Sequence, residues 1–182
     1  MRELILKLGK HSISPENYDM IYDTAKSVVR TSILEIGARY GCSSMILATV
    51  AKQKNAKLYS IEMEPKPEWT ENLREIDVLS HATLLPNASP WMNILTIPKD
   101  IDYFFIDGDH STVGCLADYY YFSPMIRVGG LVAIHDTDNP KVMRAVDLIK
   151  EEHELEEIAR CDGDLGLIVL RKNKLFEGLR YD

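Results

Sequence analysis

The stretch TSILEIGARYGCSSMILATVAK, residues 31–52, decides the fold of this chain. Ser32–Ile36 is a short run of mostly aliphatic residues, which predicts a buried strand. The chain then turns through Gly37 and Gly41, and apolar residues recur at helical spacing after the second glycine: Ile46, Leu47, Val50 and Ala51. Glycine permits unusual backbone angles and the close approach of a ligand, and ligands of α/β sheets lie beyond the carboxyl ends of the strands. The stretch therefore predicts a strand, a ligand-binding turn and a helix.

A carboxylate at the end of the next predicted strand, in AKLYSIEMEP (residues 56–65), indicates which ligand this turn binds. Parallel β-α-β connectivity places Glu62 beside the glycine turn, where it can accept hydrogen bonds from ribose hydroxyls. NAD and S-adenosylmethionine both carry that ribose. Glu35 favours the cationic S-adenosylmethionine, whereas Arg39 could pair with a phosphate or with the methionine carboxylate. The turn reads G-x-x-x-G and not the dinucleotide fingerprint G-x-G-x-x-G, so an NAD-dependent oxidoreductase is the weaker alternative.

Acids and histidines follow two further predicted strands, IDYFFID and GGLVAIHD. Asp107, Asp109 and His110 end the first segment, and His135 and Asp136 end the second. Adjacent parallel strands would bring the two groups together at the carboxyl edge of the sheet. Carboxylate oxygens suit Mg²⁺, whereas an imidazole in the set shifts the preference toward Mn²⁺, Fe²⁺ or Zn²⁺. The pattern predicts a pocket that either holds a metal or moves a proton.

Each of these residues also has a purely structural interpretation. Asp107 could simply end the DGDH turn, because Asp and Gly dominate turns. His110 could be the general base for a substrate hydroxyl or could position its loop by hydrogen bonds. His135 could be a structural, hydrogen-bonded histidine, and Asp136 could only terminate its strand.

Four segments taken together resemble the class I S-adenosylmethionine-dependent methyltransferases: LEIGARYGCSS, YSIEMEP, IDYFFIDGDHS and VGGLVAIHDT. The IDGDH signature is similar to that of antibiotic-tailoring and sugar O-methyltransferases, some of which are magnesium-dependent. The resemblance runs in order from about residue 32 to residue 170. It implies a Rossmann-like three-layer α/β sandwich, with a mostly parallel seven-stranded sheet that ends in a C-terminal antiparallel hairpin. ELEEIAR and LGLIVLRK, joined by CDGD, read as that hairpin.

The resemblance also implies a set of site residues. Those expected to bind the cofactor are Glu35, Gly37, Ala38, Arg39, Gly41, Ser43, Glu62, Asn87, Ala88, Ser89 and Asp107. Residues 87–89 follow ATLL (residues 82–85), the third predicted strand, after which this family places residues around the adenine. Catalysis is expected from Asp107, His110 and His135, with one of the histidines as the base when no metal is bound. Mg²⁺ or another divalent cation is expected at Asp107, His135 and Asp136, although metal-dependent relatives carry an acid at the position of His135.

The composition is that of one compact, enzyme-sized domain. The 182 residues are 46% hydrophobic and 27% charged, so we expect a single domain over residues 1–182, with an N-terminal helical segment (1–30) and a core (31–171). A net charge of −7 argues against a nucleic-acid partner. The three cysteines show no disulfide framework, and no apolar segment approaches the length of a membrane span. We therefore expect a cytoplasmic protein that binds no membrane.

These features predict a S-adenosylmethionine-dependent methyltransferase that methylates a hydroxyl of a small molecule, with metal assistance as an option. Few residues lie outside the predicted core, so either the acceptor is small or a partner subunit completes the pocket, as in a homodimer. The alternative from another class is a non-catalytic protein that retains S-adenosylmethionine as a sensor or scaffold ligand.

Overall fold

The computed structural model describes residues 1–8, 13–86, 97–153, 155–163 and 165–174. Helices and strands alternate along most of these segments. The helices are α1 (Arg2–Leu8), α2 (Pro15–Val28), α3 (Cys42–Lys54), α4 (Pro67–Glu75), α5 (Thr112–Phe122) and α6 (Pro140–Glu152). The strands are β1 (Ser32–Ile36), β2 (Lys57–Glu62), β3 (Ala82–Pro86), β4 (Ile101–Ile106), β5 (Ile126–His135), β6 (Leu155–Cys161) and β7 (Leu167–Lys172). Short 3-10 helices, Leu79–His81 and Ser123–Met125, precede β3 and β5.

The seven strands form one sheet in the order β3-β2-β1-β4-β5-β7-β6. The strands from β3 to β5 in that order are parallel, and β7 is antiparallel to both β5 and β6. The predicted mostly parallel, seven-stranded sheet with a C-terminal antiparallel hairpin is confirmed. Because β1 has β2 on one side and β4 on the other, the strand order reverses there. Such a reversal leaves a crevice beyond the carboxyl ends of the strands, which is where this fold class binds ligands.

Helices cover both faces of the sheet and make it the middle of three layers. Strand β4 shows this arrangement, because Tyr103 and Phe105 pack into the hydrophobic cluster that includes α1 to α4, and Phe104 and Ile106 pack into the cluster on the α5 and α6 side. All six residues of β4 are buried, as predicted for a parallel strand covered on both faces. Each large apolar side chain buried in this way contributes roughly 1.5–3 kcal/mol to folding.

The predicted N-terminal helical segment consists of α1 and α2. Helix α2 begins with Pro15, and the Ser14 hydroxyl accepts a hydrogen bond from the Asn17 backbone N–H at 3.1 Å. Both features stabilise a helix start. Ile21 and Ala25 are fully buried, and α2 contacts α3, β4 and β5. The first turn of α2 comes close to the carboxyl edge of the sheet, because the Asn17 side chain contacts His135 at the end of β5.

A buried carboxylate, Asp102, aligns β1 with β4 at the opposite edge. Its Oδ2 accepts hydrogen bonds from the backbone N–H groups of Thr31, Arg30 and Ser32 at 2.7, 2.9 and 3.1 Å. Its Oδ1 accepts a hydrogen bond from Arg127 Nε at 2.6 Å. Burial raises the pKa of Asp102, but these hydrogen bonds together bring the pKa below its usual value. The carboxylate thus satisfies the backbone N–H groups of the residues that lead into β1.

We expect Asp102→Ala to lower the free energy of unfolding by about 3–5 kcal/mol, because the change leaves the Arg127 guanidinium and three backbone N–H groups without their acceptor. Urea denaturation measures the effect. Asp19→Ala is the control, since it removes an ion pair to Arg2 whose side chains are 54% and 43% exposed, and it should cost much less stability than Asp102→Ala. Equal losses in the two variants would contradict the assigned role of Asp102.

Candidate active site

A cleft of about 1130 Å³ opens at the carboxyl edge of the sheet. It lies beyond the ends of β1, β2, β4 and β5, in the crevice that the strand order creates. Most of the predicted site residues line it: Gly37, Ala38, Arg39, Ser43, Glu62, Asp107, His110, His135 and Asp136. Residues from four separate segments therefore meet in one place, as the strand-end positions predicted.

The glycine turn after β1 is pressed against the loop after β4. Gly37 has a φ of +88°, and a Cβ atom built on it would lie 1.9 Å from the Asp107 carbonyl oxygen. No side chain fits there, and the left-handed backbone disfavours any other residue. The Gly37 N–H donates to the Ile61 carbonyl at 3.0 Å, and the Asp107 N–H donates to the Ile36 carbonyl at 2.9 Å. The turn thus continues the sheet beyond β1 and fixes both loops at the cleft floor.

Glu62, at the end of β2, holds the other side of the turn. Its Oε2 accepts a hydrogen bond from the Arg39 backbone N–H at 2.7 Å, and its Oε1 accepts one from the Glu64 backbone N–H at 2.9 Å. Each carboxylate oxygen keeps acceptor capacity toward the cleft. Arg39 therefore contacts Glu62 through its backbone N–H. The Arg39 guanidinium lies elsewhere, 5.2 Å from the centre of the Tyr40 ring.

Glu35 occupies a different place from the one predicted. We expected it to face the cofactor, but it is fully buried and does not line the cleft. Its carboxylate accepts hydrogen bonds from the hydroxyls of Ser43, Ser44 and Ser60 at 2.5, 2.6 and 2.5 Å. Burial raises the pKa of Glu35, and these three hydroxyls oppose that rise. Ser43 and Ser44 belong to the first turn of α3, so the buried Glu35 side chain on β1 stabilises the start of this helix.

Helix α3 begins at the cleft without a side-chain cap. Its N-cap is Gly41, with φ +90°, and a Cβ there would meet Trp69 at 3.1 Å. Gly41 itself does not line the cleft. The Trp69 indole N–H donates to Ser44 Oγ at 2.8 Å, which joins α4 to the network around Glu35. Because Gly41 has no side chain, Trp69 of α4 can pack against the turn. Ser43, two residues further along the chain, lines the cleft.

Two carboxylates and two imidazoles form a cluster at the ends of β4 and β5. His110 Nε2 lies 2.9 Å from Asp136 Oδ2 and 3.4 Å from Asp107 Oδ1. His135 Nδ1 lies 3.4 Å from Asp107 Oδ1 and 3.5 Å from Asp136 Oδ2. The His135 separations are long for hydrogen bonds, so its attraction to the two carboxylates is mainly electrostatic. The cluster combines charge pairs with proton donors and acceptors at the cleft wall.

A family model described as a methyltransferase domain matches residues 34–137, which include the glycine turn, Glu62 and the four-residue cluster. The chain belongs to this methyltransferase family. The predicted membership in the class I S-adenosylmethionine-dependent methyltransferases is confirmed, and it decides against the oxidoreductase alternative. A search of curated protein sequences finds no significant match.

Solved structures share the fold of this methyltransferase at low sequence identity. The cofactor-bound protein Rv0187 from MTB matches with a TM-score of 0.78 and 17% identity, over 94% of this chain and 90% of that one. The O-methyltransferase TomG from Streptomyces achromogenes, solved with SAM, has a TM-score of 0.77 and 16% identity, over 94% and 90% of the two chains. An O-methyltransferase from Bacillus cereus, solved with SAH, has a TM-score of 0.73 and 15% identity, over 93% and 91%. At these identities the likeness is one of fold.

The neighbouring carboxylates raise the pKa of both histidines of the methyltransferase. Hydrogen bonds to Asp107 and Asp136 raise the pKa of His110 to about 10. Burial lowers the pKa of His135, but the same two carboxylates raise it above the usual value. Burial also raises the pKa of Asp136, and the histidines more than reverse this effect, so that its pKa lies well below the usual range. The ion pairs therefore favour the protonated forms of both imidazoles and the ionised form of Asp136.

Asn17 is a member of the site that we did not predict. It is fully buried in the first turn of α2, and its side-chain Nδ2 lies 3.2 Å from His135 Nε2. An amide can present either a donor or an acceptor to an imidazole nitrogen, so Asn17 can accompany His135 in either protonation state. A signal for it existed in the sequence, because Asn17 is a polar residue one turn before Ile21 on an otherwise apolar helix face.

The predicted adenine contacts, Asn87, Ala88 and Ser89, lie outside the described residues, and their role stays a prediction. Within the described parts of the chain, none of the helices is long and apolar enough to cross a membrane.

The raised pKa of His110 predicts how stability changes with pH. The unfolded histidine titrates near 6.5, so the stabilisation from the His110 ion pairs is complete below about pH 6.5 and is lost as the pH rises toward about 10. We expect the free energy of unfolding to fall more between pH 7 and pH 10 in the wild-type protein than in His110→Gln. Urea denaturation in EDTA at several pH values measures this difference. Parallel pH curves for the two proteins would contradict the charge assignment.

Proposed function

We propose that this methyltransferase transfers the methyl group of S-adenosylmethionine to a hydroxyl oxygen of a small molecule. One observation carries the proposal: a single cleft holds a ribose-type carboxylate acceptor, Glu62, on one side and the cluster of Asp107, His110, His135 and Asp136 on another. The first group fits the donor and the second fits a hydroxyl that has to lose its proton. The SAM-bound and SAH-bound O-methyltransferases with the same fold support this assignment.

The cofactor is expected over the glycine turn. Glu62 is placed to accept hydrogen bonds from the ribose hydroxyls, and the backbone of Gly37 to Arg39 forms the adjoining wall. S-adenosylmethionine carries a positive sulfonium, and acids outnumber Lys and Arg residues along the cleft: Glu62, Glu64, Asp107, Asp109, Asp118 and Asp136 against Arg39 and Lys66. This balance favours a cationic donor.

The rate of methyl transfer depends more on the alignment of the two reactants than on activation of the acceptor hydroxyl. The acceptor oxygen attacks the methyl carbon as the carbon–sulfur bond breaks, which yields a methyl ether, neutral S-adenosylhomocysteine and one proton. Holding oxygen, carbon and sulfur in line supplies much of the rate. The proton leaves to solvent through the cluster of Asp107, His110, His135 and Asp136.

The histidines have two candidate roles in this proposal. We expected His110 or His135 to be the base, and this stays a prediction. The neighbouring carboxylates favour the protonated form of each imidazole, and in that form an imidazole stabilises the negative charge that develops on the acceptor oxygen. The same ion pairs lower the pKa of Asp136, which makes it a weak base, so Asp107 and Asp136 act by orienting the acceptor hydroxyl and the imidazoles.

A divalent cation fits the same cluster. Among the described residues, Asp107, His110 and Asp136 each offer a ligand atom, and the three atoms lie within 4.8 Å of one another. In this set His110 takes the place that the sequence had assigned to His135. Two carboxylates and one imidazole suit Mn²⁺, Fe²⁺ or Zn²⁺ as well as Mg²⁺. A bound ion would act as a Lewis acid that lowers the pKa of the acceptor hydroxyl. His110 would have to release its proton to become a ligand, so metal binding should weaken as the pH falls.

We expect the protein to bind S-adenosylhomocysteine with micromolar affinity, and Glu62→Gln to weaken this binding by about tenfold or more, because a hydrogen bond to a charged group is worth roughly 1.5–3 kcal/mol. Calorimetric titration measures both values. Glu64→Gln is the matched control, since this neighbouring acid also lines the cleft but pairs with Lys66 at 3.3 Å. Absence of binding to the folded wild-type protein would remove the proposed function.

We expect Asp136→Asn to reduce methyl transfer by at least about a hundredfold while it changes S-adenosylhomocysteine affinity less than about threefold, because the carboxylate acts on the acceptor and not on the donor. Methylation of a panel of phenols and sugars, assayed in EDTA and with added Mg²⁺ or Mn²⁺, measures the first value and shows whether a metal assists. Equal loss of binding and turnover would contradict this division of labour. Cofactor binding without methylation of any acceptor would favour the non-catalytic alternative.

A further inference from the structure

A leucine occupies a backbone position that favours glycine in the turn between β6 and β7. Leu165 has a φ of +79°, in the left-handed region where a Cβ atom is unfavourable. Gly163 and Gly166, in the same turn, have φ values of +93° and +70°. The chain uses glycine at these two positions and keeps a large apolar side chain at Leu165. Such a residue persists only where surrounding contacts hold it, and residues of this kind cluster at functional sites.

The turn is fixed against the loop that follows β5. The Asp138 N–H donates to the Leu165 carbonyl at 3.2 Å, and the Gly163 N–H donates to Asp138 Oδ1 at 3.4 Å. A Cβ atom on Gly166 would lie 2.4 Å from Thr137 Oγ1, so the two loops are in close contact. These contacts place Leu165 next to the residues that follow Asp136 in the chain.

The strand register gives the same location. Leu167 pairs with His135 across the antiparallel ladder of β7 and β5, so Leu165 lies just beyond His135 at the cleft mouth. Leu165 lines the cleft on this side. Glu62 belongs to the end of β2, which is separated from β5 in the sheet by β1 and β4. Leu165 therefore borders the cluster of Asp107, His110, His135 and Asp136 and not the ribose position.

Core packing does not explain the leucine. Its side chain is 50% exposed and belongs to neither of the two hydrophobic core clusters. On the α5 side the cleft is lined by Gly114 and Ala117, and the Asp109 side chain fills the space beside Gly114. Even with His110 and His135 counted as cations, the six acids that line the cleft outnumber its four basic residues, which disfavours an anionic molecule. An exposed apolar side chain beside this charged cluster suits an uncharged molecule with an apolar surface.

We infer that Leu165 determines acceptor specificity, and that the acceptor is an uncharged molecule whose reacting hydroxyl is carried on an apolar ring. The inference rests on the proposed methyl transfer. The ring packs against the Leu165 side chain while its hydroxyl reaches the carboxylates of Asp107 and Asp136. The apolar contact selects the molecule and sets the angle at which its oxygen approaches the methyl group.

The test uses 2-naphthol, a fluorescent neutral phenol, titrated into the 182-residue protein with and without saturating S-adenosylhomocysteine. Leu165→Asn is the main variant, because asparagine is similar in size, polar and tolerant of the left-handed region. Leu165→Gly removes the side chain and suits the same backbone. We expect both variants to weaken 2-naphthol binding about tenfold or more, as for loss of apolar contact in a binding pocket. Their melting temperatures and S-adenosylhomocysteine affinities should not fall.

The control is Val113→Asn, which changes an apolar residue that is 76% exposed near the start of α5 and does not line the cleft. It should leave 2-naphthol binding unchanged. Wild-type affinity in Leu165→Asn, or no 2-naphthol binding to the wild-type protein, would overturn the inference. Methylation of 2-naphthol is assayed separately, so that binding without methylation counts against the proposed function while the assignment of Leu165 stands.

Discussion

The absence of a side chain at residue 37 is the constraint on which the rest of the site depends. A Cβ atom there would overlap the Asp107 carbonyl, so any larger residue would push the loops after β1 and β4 apart. With glycine in place, the turn next to Glu62 and the loop that carries Asp107 and His110 share one floor. The donor half and the acceptor half of the cleft are held at a fixed separation because these two backbones touch.

Charge balance is the second condition. Each of the two imidazoles has a nitrogen 2.9–3.5 Å from both carboxylates, and each sign stabilises the other in a partly buried wall. Asp107 and Asp136 would repel each other as isolated acids, and His135 would resist protonation as an isolated buried base. Together the four side chains form a charged wall of the cleft. Asn17, from the N-terminal helical segment, completes the environment of His135.

The two halves of the cleft are built from different parts of the chain. The donor half uses the ends of β1 and β2, which adjoin in the sheet and in sequence, so its residues fall within one short stretch. The acceptor half uses the ends of β4 and β5, the start of α2 and the turn between β6 and β7. Under the proposed function, this division would let acceptor preference change through Leu165 while cofactor binding is retained, because the two halves use the ends of different strands.

The sequence by itself determined the fold and the positions of most site residues. Local patterns define strands, glycine turns and capped helices, and parallel strand ends must meet at one edge, so Glu62, Asp107, His110, His135 and Asp136 could all be placed there. Tertiary structure alone decided the surroundings of each one. The inward position of Glu35, the raised pKa values of both histidines, the contact of Asn17 and the exposure of Leu165 all depend on neighbours that are distant in sequence. Burial and electrostatic interactions act through space, and the order of residues along the chain does not contain those distances.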